Sequence, residues 1–260
     1  MSHAVAAHIR RAYRIRRRPL STCTNGATIP PLPAKLIITA DDYGYRPAYD
    51  RGILEAVEAG AVDAVSAMVG REGLDPEQLL ATRIEVGLHL ELPEMPVEGP
   101  AGGAERDAAI TALRDQLAEF ETAFGRPPAY LDGHHHCHAR DGLATDVARI
   151  AAKHNLPVRS TNPRHRRLLR GIGVPTPDLL VGRLEPSEPA LPEELAQVLD
   201  ASGDPPNGVT EWMVHPGRRD PGSESAFDAA REHDLELICD LRDALARSFQ
   251  RGTHSALTRA

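Results

Sequence analysis

The stretch Leu36-Ile37-Ile38-Thr39-Ala40-Asp41-Asp42-Tyr43-Gly44 joins a short apolar run to two acids and a glycine. The apolar part is short, rich in β-branched residues and not alternating, which predicts a strand buried on both faces of a parallel sheet. The two aspartates stand at the carboxyl end of this strand. In α/β barrels, functional groups from different strands meet at that end.

Strand-like and helix-like stretches alternate along the rest of the chain. Further strands are predicted at 62–69, 84–90, 129–131, 156–159 and 209–214. Helices are predicted at 48–59, 75–81, 105–124, 142–154, 192–202 and 224–248, and a proline-rich irregular loop at 160–190. This alternation is typical of a parallel sheet with crossover helices. Since no glycine-rich loop follows the first strand, a single distorted, TIM-like (β/α) barrel is favoured over a dinucleotide-binding sheet.

Composition excludes several classes of protein. The net charge of −7 argues against general affinity for nucleic acid. No apolar run approaches the roughly 18 to 20 residues of a membrane span. The three widely spaced cysteines, Cys23, Cys137 and Cys239, do not suggest a disulfide framework, and they predict a reducing, cytoplasmic setting.

The first 34 residues differ from the remainder of the chain. They are rich in arginine and proline, and no acid appears before Asp41. We predict a disordered N-terminal extension over 1–34, a barrel domain over 35–250 and a C-terminal tail over 251–260. An organelle transit peptide and a start codon placed too far upstream are the alternatives for the extension.

The stretch Leu131-Asp132-Gly133-His134-His135-His136-Cys137-His138 holds the densest cluster of chemically active side chains. Imidazole is the commonest metal ligand in proteins, and a metal or acid–base role is favoured over a polar loop. In a strand, His134, His136 and His138 would share one face. In a helix, only His134 and His138 would do so. Cys137 is not expected to take part directly.

Other candidates also stand at strand ends, namely Asp41, Asp42, His89 and His215. Of two adjacent carboxylates, one could bind a metal while the other accepts a proton. Capping of the next helix by this pair is disfavoured, because several residues separate it from the helix start. His89 could be a core histidine, but two histidines and a carboxylate would form a metal site with open positions.

Five segments together resemble the YdjC-like carbohydrate deacetylases, the family that includes chitooligosaccharide deacetylases. The segments are Thr39–Gly44, Gly52–Ala56, Val86–Leu90, Leu131–His138 and Thr210–Gly217. The resemblance implies a barrel related to the polysaccharide deacetylases and one divalent ion, magnesium or zinc. It assigns the ligands to Asp42, His89 and His134, the general base to Asp41 and the general acid to His215. It implies that Asp132, His136, His138 and Tyr43 orient the ligands or contact substrate.

The implied reaction is attack of water, activated at the metal, on the acetamide carbonyl of an N-acetylated sugar or oligosaccharide. Acetate and a free amine would be released. Another metal-dependent hydrolase (an amidohydrolase or phosphoesterase) and a non-catalytic sugar-binding module are the alternatives. The sequence departs from the family at Asp50 and Gly70, where asparagine is usual, and in a short loop after His89. The sugar and the oligomeric state, including a homodimer, stay open.

Overall fold

A parallel sheet organises the computed structural model, which describes residues 34–92, 103–199 and 208–259. Its strands are β1 (Lys35–Tyr43), β2 (Ala64–Ala67), β3 (Glu85–Leu90), β4 (Leu131–Gly133), β5 (Leu179–Val181), β6 (Val209–Val214) and β7 (Gln250–Arg251). Its helices are α1 (Pro47–Glu58), α2 (Pro76–Ala81), α3 (Gly103–Phe124), α4 (Ala144–Lys153), α5 (Pro163–Ile172), α6 (Glu193–Leu199) and α7 (Asp228–Ser248). Short 3₁₀ helices span His134–Ala139 and His254–Arg259.

The strands follow the order β4-β3-β2-β1-β6-β5, and β7 pairs with the start of β1. The segment around Val158 lies between the outer strands β4 and β5. Leu131 of β4 forms an isolated parallel bridge with Val158. The N–H of Val158 then donates to the carbonyl of Pro175 at 2.9 Å, just before β5. The sheet therefore curls into a nearly closed barrel, and the predicted α/β class with a single distorted barrel is confirmed.

Strand β1 lies at the centre of the sheet, with β2 on one side and β6 on the other. Every residue of β1 after Lys35 is buried, which explains why its sequence is apolar without alternation. Helices α1 and α7 pack against each other outside the sheet, as do α4 and α5. Among the residues described, no helix is both long enough and apolar enough to cross a membrane.

The prediction of a loop over 160–190 is wrong, because this segment contains α5 and β5. Pro163 occupies the first turn of α5, where the absence of its N–H does no harm. Asn162 caps the helix by accepting from the N–H groups of Arg164 and His165 at 3.0 and 2.9 Å. The proline therefore begins a helix where the sequence was interpreted as a loop.

Other predicted boundaries differ less. Strand β4 lies at Leu131–Gly133, whereas the sequence predicts a strand at 129–131. The strand predicted at 156–159 is reduced to a single bridge at Val158. The predicted extension lies outside the described residues except for Ala34, as does the loop after His89 from residue 93 to 102. The proposed domain boundaries stay predictions.

The turn after β1 has an unusual backbone. Asp42 and Gly44 have φ angles of 75° and 91°, and the pairing of β1 with β2 is irregular between Ala40 and Tyr43. A Cβ atom at Gly44 would lie 2.8 Å from the carbonyl oxygen of Met68, so only glycine fits. The N–H of Gly44 donates to Oδ1 of Asp50 at 2.7 Å, which ties the turn to α1.

Asp50→Asn should stabilise the protein at alkaline pH. Burial raises the pKa of Asp50 to about 7, so the folded state binds this proton more tightly than the unfolded chain. Stability from this group is therefore lost as the pH rises from about 4 to about 7. Asparagine keeps the acceptor for Gly44, and we expect a gain of about 2–4 kcal/mol in the free energy of unfolding at pH 8.

Urea denaturation at pH 5 and pH 8 measures this gain, which should shrink at pH 5. The control is Glu58→Gln, at an exposed acid on the same helix, for which no such pH difference is expected. An equal gain for Asp50→Asn at both pH values would contradict the explanation.

Candidate functional site

Three side chains from separate strand ends converge at the carboxyl end of the barrel. Oδ1 of Asp42 lies 3.2 Å from Nε2 of His89 and 3.0 Å from Nδ1 of His134. One ligand atom from each residue lies within 4.8 Å of the other two. Asp42 and His89 are buried, and His134 is partly exposed. These are the three residues for which metal binding was predicted.

The histidine run adopts neither of the two conformations considered from sequence. It begins a 3₁₀ helix directly after β4, and His135 and His136 have φ angles of 49° and 56°. Left-handed residues break both the two-residue and the 3.6-residue repeat. His134 therefore points to Asp42 without sharing a face with His136 and His138.

Asp132 fixes the orientation of His89. The two residues are register partners in β3 and β4, and Nδ1 of His89 lies 2.8 Å from Oδ1 of Asp132. Ser66 donates to the other oxygen of Asp132 at 2.7 Å. Nε2 of His89 is thereby directed towards Asp42. Burial lowers the pKa of His89, but the charges of Asp132 and Asp41 outweigh this and raise it to about 10, so the surroundings favour a positive charge here.

Arg159 is fully buried among three acids. Its NH1 and NH2 groups donate to the two oxygens of Asp41 at 2.6 and 2.8 Å. NH2 also lies 2.8 Å from Oδ2 of Asp132, and Nε donates to Glu211 at 2.9 Å. The guanidinium of Arg159 thus fixes Asp41 beneath the cavity. It also contacts Asp132, which orients His89.

A second arginine engages the remaining oxygen of Asp42. Arg231, from α7, donates to Oδ2 at 2.5 Å, and its guanidinium lies 3.9 Å above the ring of Tyr49. Burial would raise the pKa of Asp42, but Arg231 and the hydrogen bonds from His134 and His89 lower it well below the usual value. Asp42 is therefore a carboxylate at neutral pH, the form that binds metals.

A cavity of about 670 Å³ opens above these residues. Asp41, Asp42 and the histidines form one wall, while Leu184, Pro186, Met213 and Phe227 supply apolar surface elsewhere. His215 also lines the cavity, with its ring 5.1 Å from that of Phe227 and its backbone N–H donating to Asp234 at 3.1 Å. Burial lowers the pKa of His215 against the opposing charges of Asp42 and Asp41, so its ring is neutral at pH 7.

The other predicted residues lie at different distances from the cavity. His136 lines it, and burial lowers the pKa of this ring to about 4. His138 is buried, with Nε2 3.1 Å from the carbonyl oxygen of Arg159. Tyr43 donates its hydroxyl to the carbonyl of Asp75, outside the cavity, and Tyr45 lines the wall near it.

A model of the family described as YdjC-like protein matches residues 35–247, which is most of the chain. The chain belongs to the YdjC-like family. The match includes every residue for which a metal-binding or catalytic role was predicted.

Individual relatives extend this likeness. Over 137 residues the YdjC-like chain is 34% identical to a carbohydrate deacetylase of Mus musculus, an alignment that covers 42% of this chain and 44% of the relative. It therefore spans less than half of that relative. Over 249 residues it is 29% identical to a chitooligosaccharide deacetylase of Salmonella paratyphi B, covering 84% of this chain and 97% of the relative.

Among solved structures, a protein of Enterococcus faecalis V583 with a provisional role in cellobiose-phosphate cleavage superimposes with a TM-score of 0.69. It is 25% identical, and the match covers 86% of this chain and 99% of that one. The likeness extends over nearly the whole barrel.

Sequence reasoning missed four residues that build the site, namely Ser66, Arg159, Glu211 and Arg231. Arg159 and Glu211 are charged residues inside predicted strands, which is a usable signal because such positions are normally apolar. Arg231 lies three residues after Asp228 and four before Leu235, both on the buried face of α7. Its helical position could therefore have distinguished it from the many exposed arginines.

The donor set of this YdjC-like chain fits a divalent cation. Around an ion with bonds of about 2.0–2.2 Å, neighbouring ligand atoms lie about 3.0–3.5 Å apart, which agrees with the 3.0 and 3.2 Å measured around Asp42. One carboxylate and two imidazoles suit zinc and related metals. A second group, Asp41, His89 and Asp132, is also compact, but the guanidinium of Arg159 already lies against both of its acids.

Arg159→Met should destabilise the metal-free protein by about 3–5 kcal/mol, because it leaves buried carboxylates without their cation. The free energy of unfolding in urea, measured in the presence of a chelator, tests this. Arg106→Met is the matched control, since Arg106 and Asp146 form a solvent-exposed ion pair at 2.5 Å, and such pairs contribute little to stability. Equal losses in the two variants would contradict a special role for Arg159.

Proposed function

We propose that this YdjC-like chain is a metal-dependent hydrolase that removes an N-acetyl group from an amino sugar or oligosaccharide. The observation that carries the proposal is the convergence of Asp42, His89 and His134 beside Asp41 on the wall of one cavity. Acetamide hydrolysis needs a polarised carbonyl, an activated water and a proton donor. The relatives, a carbohydrate deacetylase and a chitooligosaccharide deacetylase, agree with this chemistry.

Asp42, His89 and His134 would hold the ion, zinc or magnesium. When bound, a divalent ion polarises the carbonyl oxygen and lowers the pKa of water. The carboxylate of Asp132 orients His89, an arrangement that commonly supports histidine ligands. Arg231 holds the other oxygen of Asp42, so that only Oδ1 faces the two imidazoles.

Asp41 is our candidate for the general base. It lines the cavity, and one of its oxygens lies within 4.8 Å of a ring nitrogen of His89. Arg159 donates hydrogen bonds to both oxygens of Asp41, so the carboxylate of Asp41 has a fixed position and little rotational freedom. In this role Asp41 takes the proton from water as the oxygen attacks the acetamide carbon.

His215 is our candidate for the proton donor to the leaving amine. Its ring lines the same cavity, and its Nδ1 has no partner among the described residues. Because the neutral ring predominates at pH 7, His215 must gain a proton before it delivers one to the amine nitrogen. The C–N bond then breaks, and acetate and the free amino sugar leave.

The lining of the cavity supports a sugar as the substrate. Its apolar surface at Leu184, Pro186 and Phe227 suits the apolar face of a sugar ring or the methyl group of the acetamide. A chitooligosaccharide is one candidate substrate. We also propose a cytoplasmic location, and we assign supporting roles around the site to His136, His138 and Tyr43. Neither nucleic acid nor membrane is a proposed partner, and a homodimer stays open.

A phosphoesterase is the second candidate function, favoured by the second acidic group that contains Asp41 and Asp132. A second ion there would have to displace Arg159 from both carboxylates. Metal analysis separates the two proposals, because deacetylation by this site requires one ion per chain and the alternative requires two.

Removal of a ligand should abolish metal binding. We expect Asp42→Asn, His89→Ala and His134→Ala to lose the bound ion and acetate release, because two remaining ligands cannot retain it. The measurements are metal content after purification and acetate released from N-acetylated oligosaccharides. His154→Ala, which removes an exposed histidine, should keep both. If His136→Ala lost the ion and His134→Ala kept it, the assigned ligand would be wrong by two residues.

Asp41→Asn should separate catalysis from metal binding. We expect one ion per chain and a fall in kcat of about 10²–10⁴-fold, because the general base is lost while the ligands remain. Steady-state acetate release and metal analysis on the same preparation test this. The control is Asp141→Asn at an exposed acid, which should behave as the unmodified chain. Loss of the ion together with activity would assign Asp41 to metal binding instead.

A further inference from the structure

His254 enters the barrel from the end opposite the cavity. It follows β7 and begins the last 3₁₀ helix, yet its side chain is fully buried. Its backbone N–H donates to Glu85 at 2.7 Å, and Ser255 donates to the same carboxylate through its N–H at 3.0 Å and its hydroxyl at 2.5 Å. Glu85 stands at the amino end of β3, so this segment is fixed to the floor of the barrel.

The ring of His254 contacts one set of residues that ends at the proposed base. Its Nε2 lies 3.1 Å from the hydroxyl of Thr39 and 3.6 Å from Oε1 of Glu211. Oε1 of Glu211 accepts from Nε of Arg159, which holds Asp41. We call Glu211, Arg159 and Asp41 the Glu211 arm.

The same ring contacts a second set that ends at a proposed metal ligand. It stacks on Tyr130 with a centroid separation of 3.8 Å and an angle of 17°. Tyr130 bonds to Ser66 at 2.9 Å, and Ser66 donates to Asp132, which orients His89. Because Ser66 uses its proton on Asp132, Tyr130 must be the donor to Ser66. We call Tyr130, Ser66, Asp132 and His89 the Tyr130 arm.

The place of the Tyr130 ring is also fixed from β3. A Cβ atom at Gly87 would lie 2.4 Å from the phenol ring, so Tyr130 fills space that only glycine leaves free. Burial lowers the pKa of His254 to about 4. The neutral ring therefore acts by contact and hydrogen bonding, without a charge of its own.

We propose that His254 is a positioning residue for the reaction, which holds both arms from the floor of the barrel. This inference rests on the proposed function. Displacement of the ring would remove the 3.6 Å contact with Glu211 on one side and the stacking on Tyr130 on the other. The first change alters the position of the base, and the second alters the orientation of a metal ligand. Residues after β7 therefore support the site at a distance.

Three variants separate the arms. His254→Phe keeps a ring on Tyr130 but removes Nε2, so kcat should fall about tenfold while KM and Zn²⁺ affinity stay unchanged. Tyr130→Phe keeps the stack but removes the bond to Ser66, so Zn²⁺ affinity should fall about tenfold, within the range for groups that orient ligands. His254→Ala should show both losses. Ser255→Ala, which leaves the backbone bonds to Glu85, should show neither.

The measurements are steady-state acetate release with kcat and KM resolved, and Zn²⁺ titration calorimetry on chelator-treated protein that circular dichroism shows to be folded. A folded His254→Phe variant with kcat within twofold of the unmodified chain would overturn the Glu211 arm. Unchanged Zn²⁺ affinity in folded His254→Ala would overturn the Tyr130 arm. If the unmodified chain bound Zn²⁺ but released no acetate, the proposed function would fail, and the Zn²⁺ affinity of His254→Ala would still decide the role of His254. If it bound neither Zn²⁺ nor Mg²⁺, both proposals would fall.

Discussion

One guanidinium, that of Arg159, holds together the centre of the barrel. It bonds to Asp41, Asp132 and Glu211, which come from three different strands or strand ends. Without it, buried carboxylates would face one another in a region from which water is excluded, an arrangement that is costly in free energy. Asp41, Asp132 and Glu211 can therefore lie close together only because this cation lies among them.

The two buried arginines therefore contact different acids of the site. Arg159 neutralises the acids below the cavity, and Arg231 engages the outer oxygen of Asp42. What remains is a single carboxylate oxygen facing two imidazoles, His89 and His134. Two arginines that contact no substrate in our proposal thus shape the group of side chains that we propose as the metal site.

Much of the fold could be predicted from the sequence, because periodicity and strand-end acids are local signals. Strand β6 and most helices were found within a few residues, and Asp42, His89 and His134 do converge. What could not be predicted depends on distant contacts or on unusual backbone geometry. The left-handed conformation of His135 and His136 has no signature in a run of histidines, and Pro163 resembles a loop residue until Asn162 is seen to cap a helix.

Strand β1 appears early in the chain, but its partners β6 and β7 lie at residues 209–214 and 250–251. During synthesis, β1 can therefore pair with β6 and β7 only after almost the entire chain has left the ribosome. Contacts of such long sequence separation slow folding and prolong exposure of apolar strands. The same delay means that the proposed catalytic site, which His254 contacts from the opposite end of the barrel, is assembled only after β7 has been synthesised.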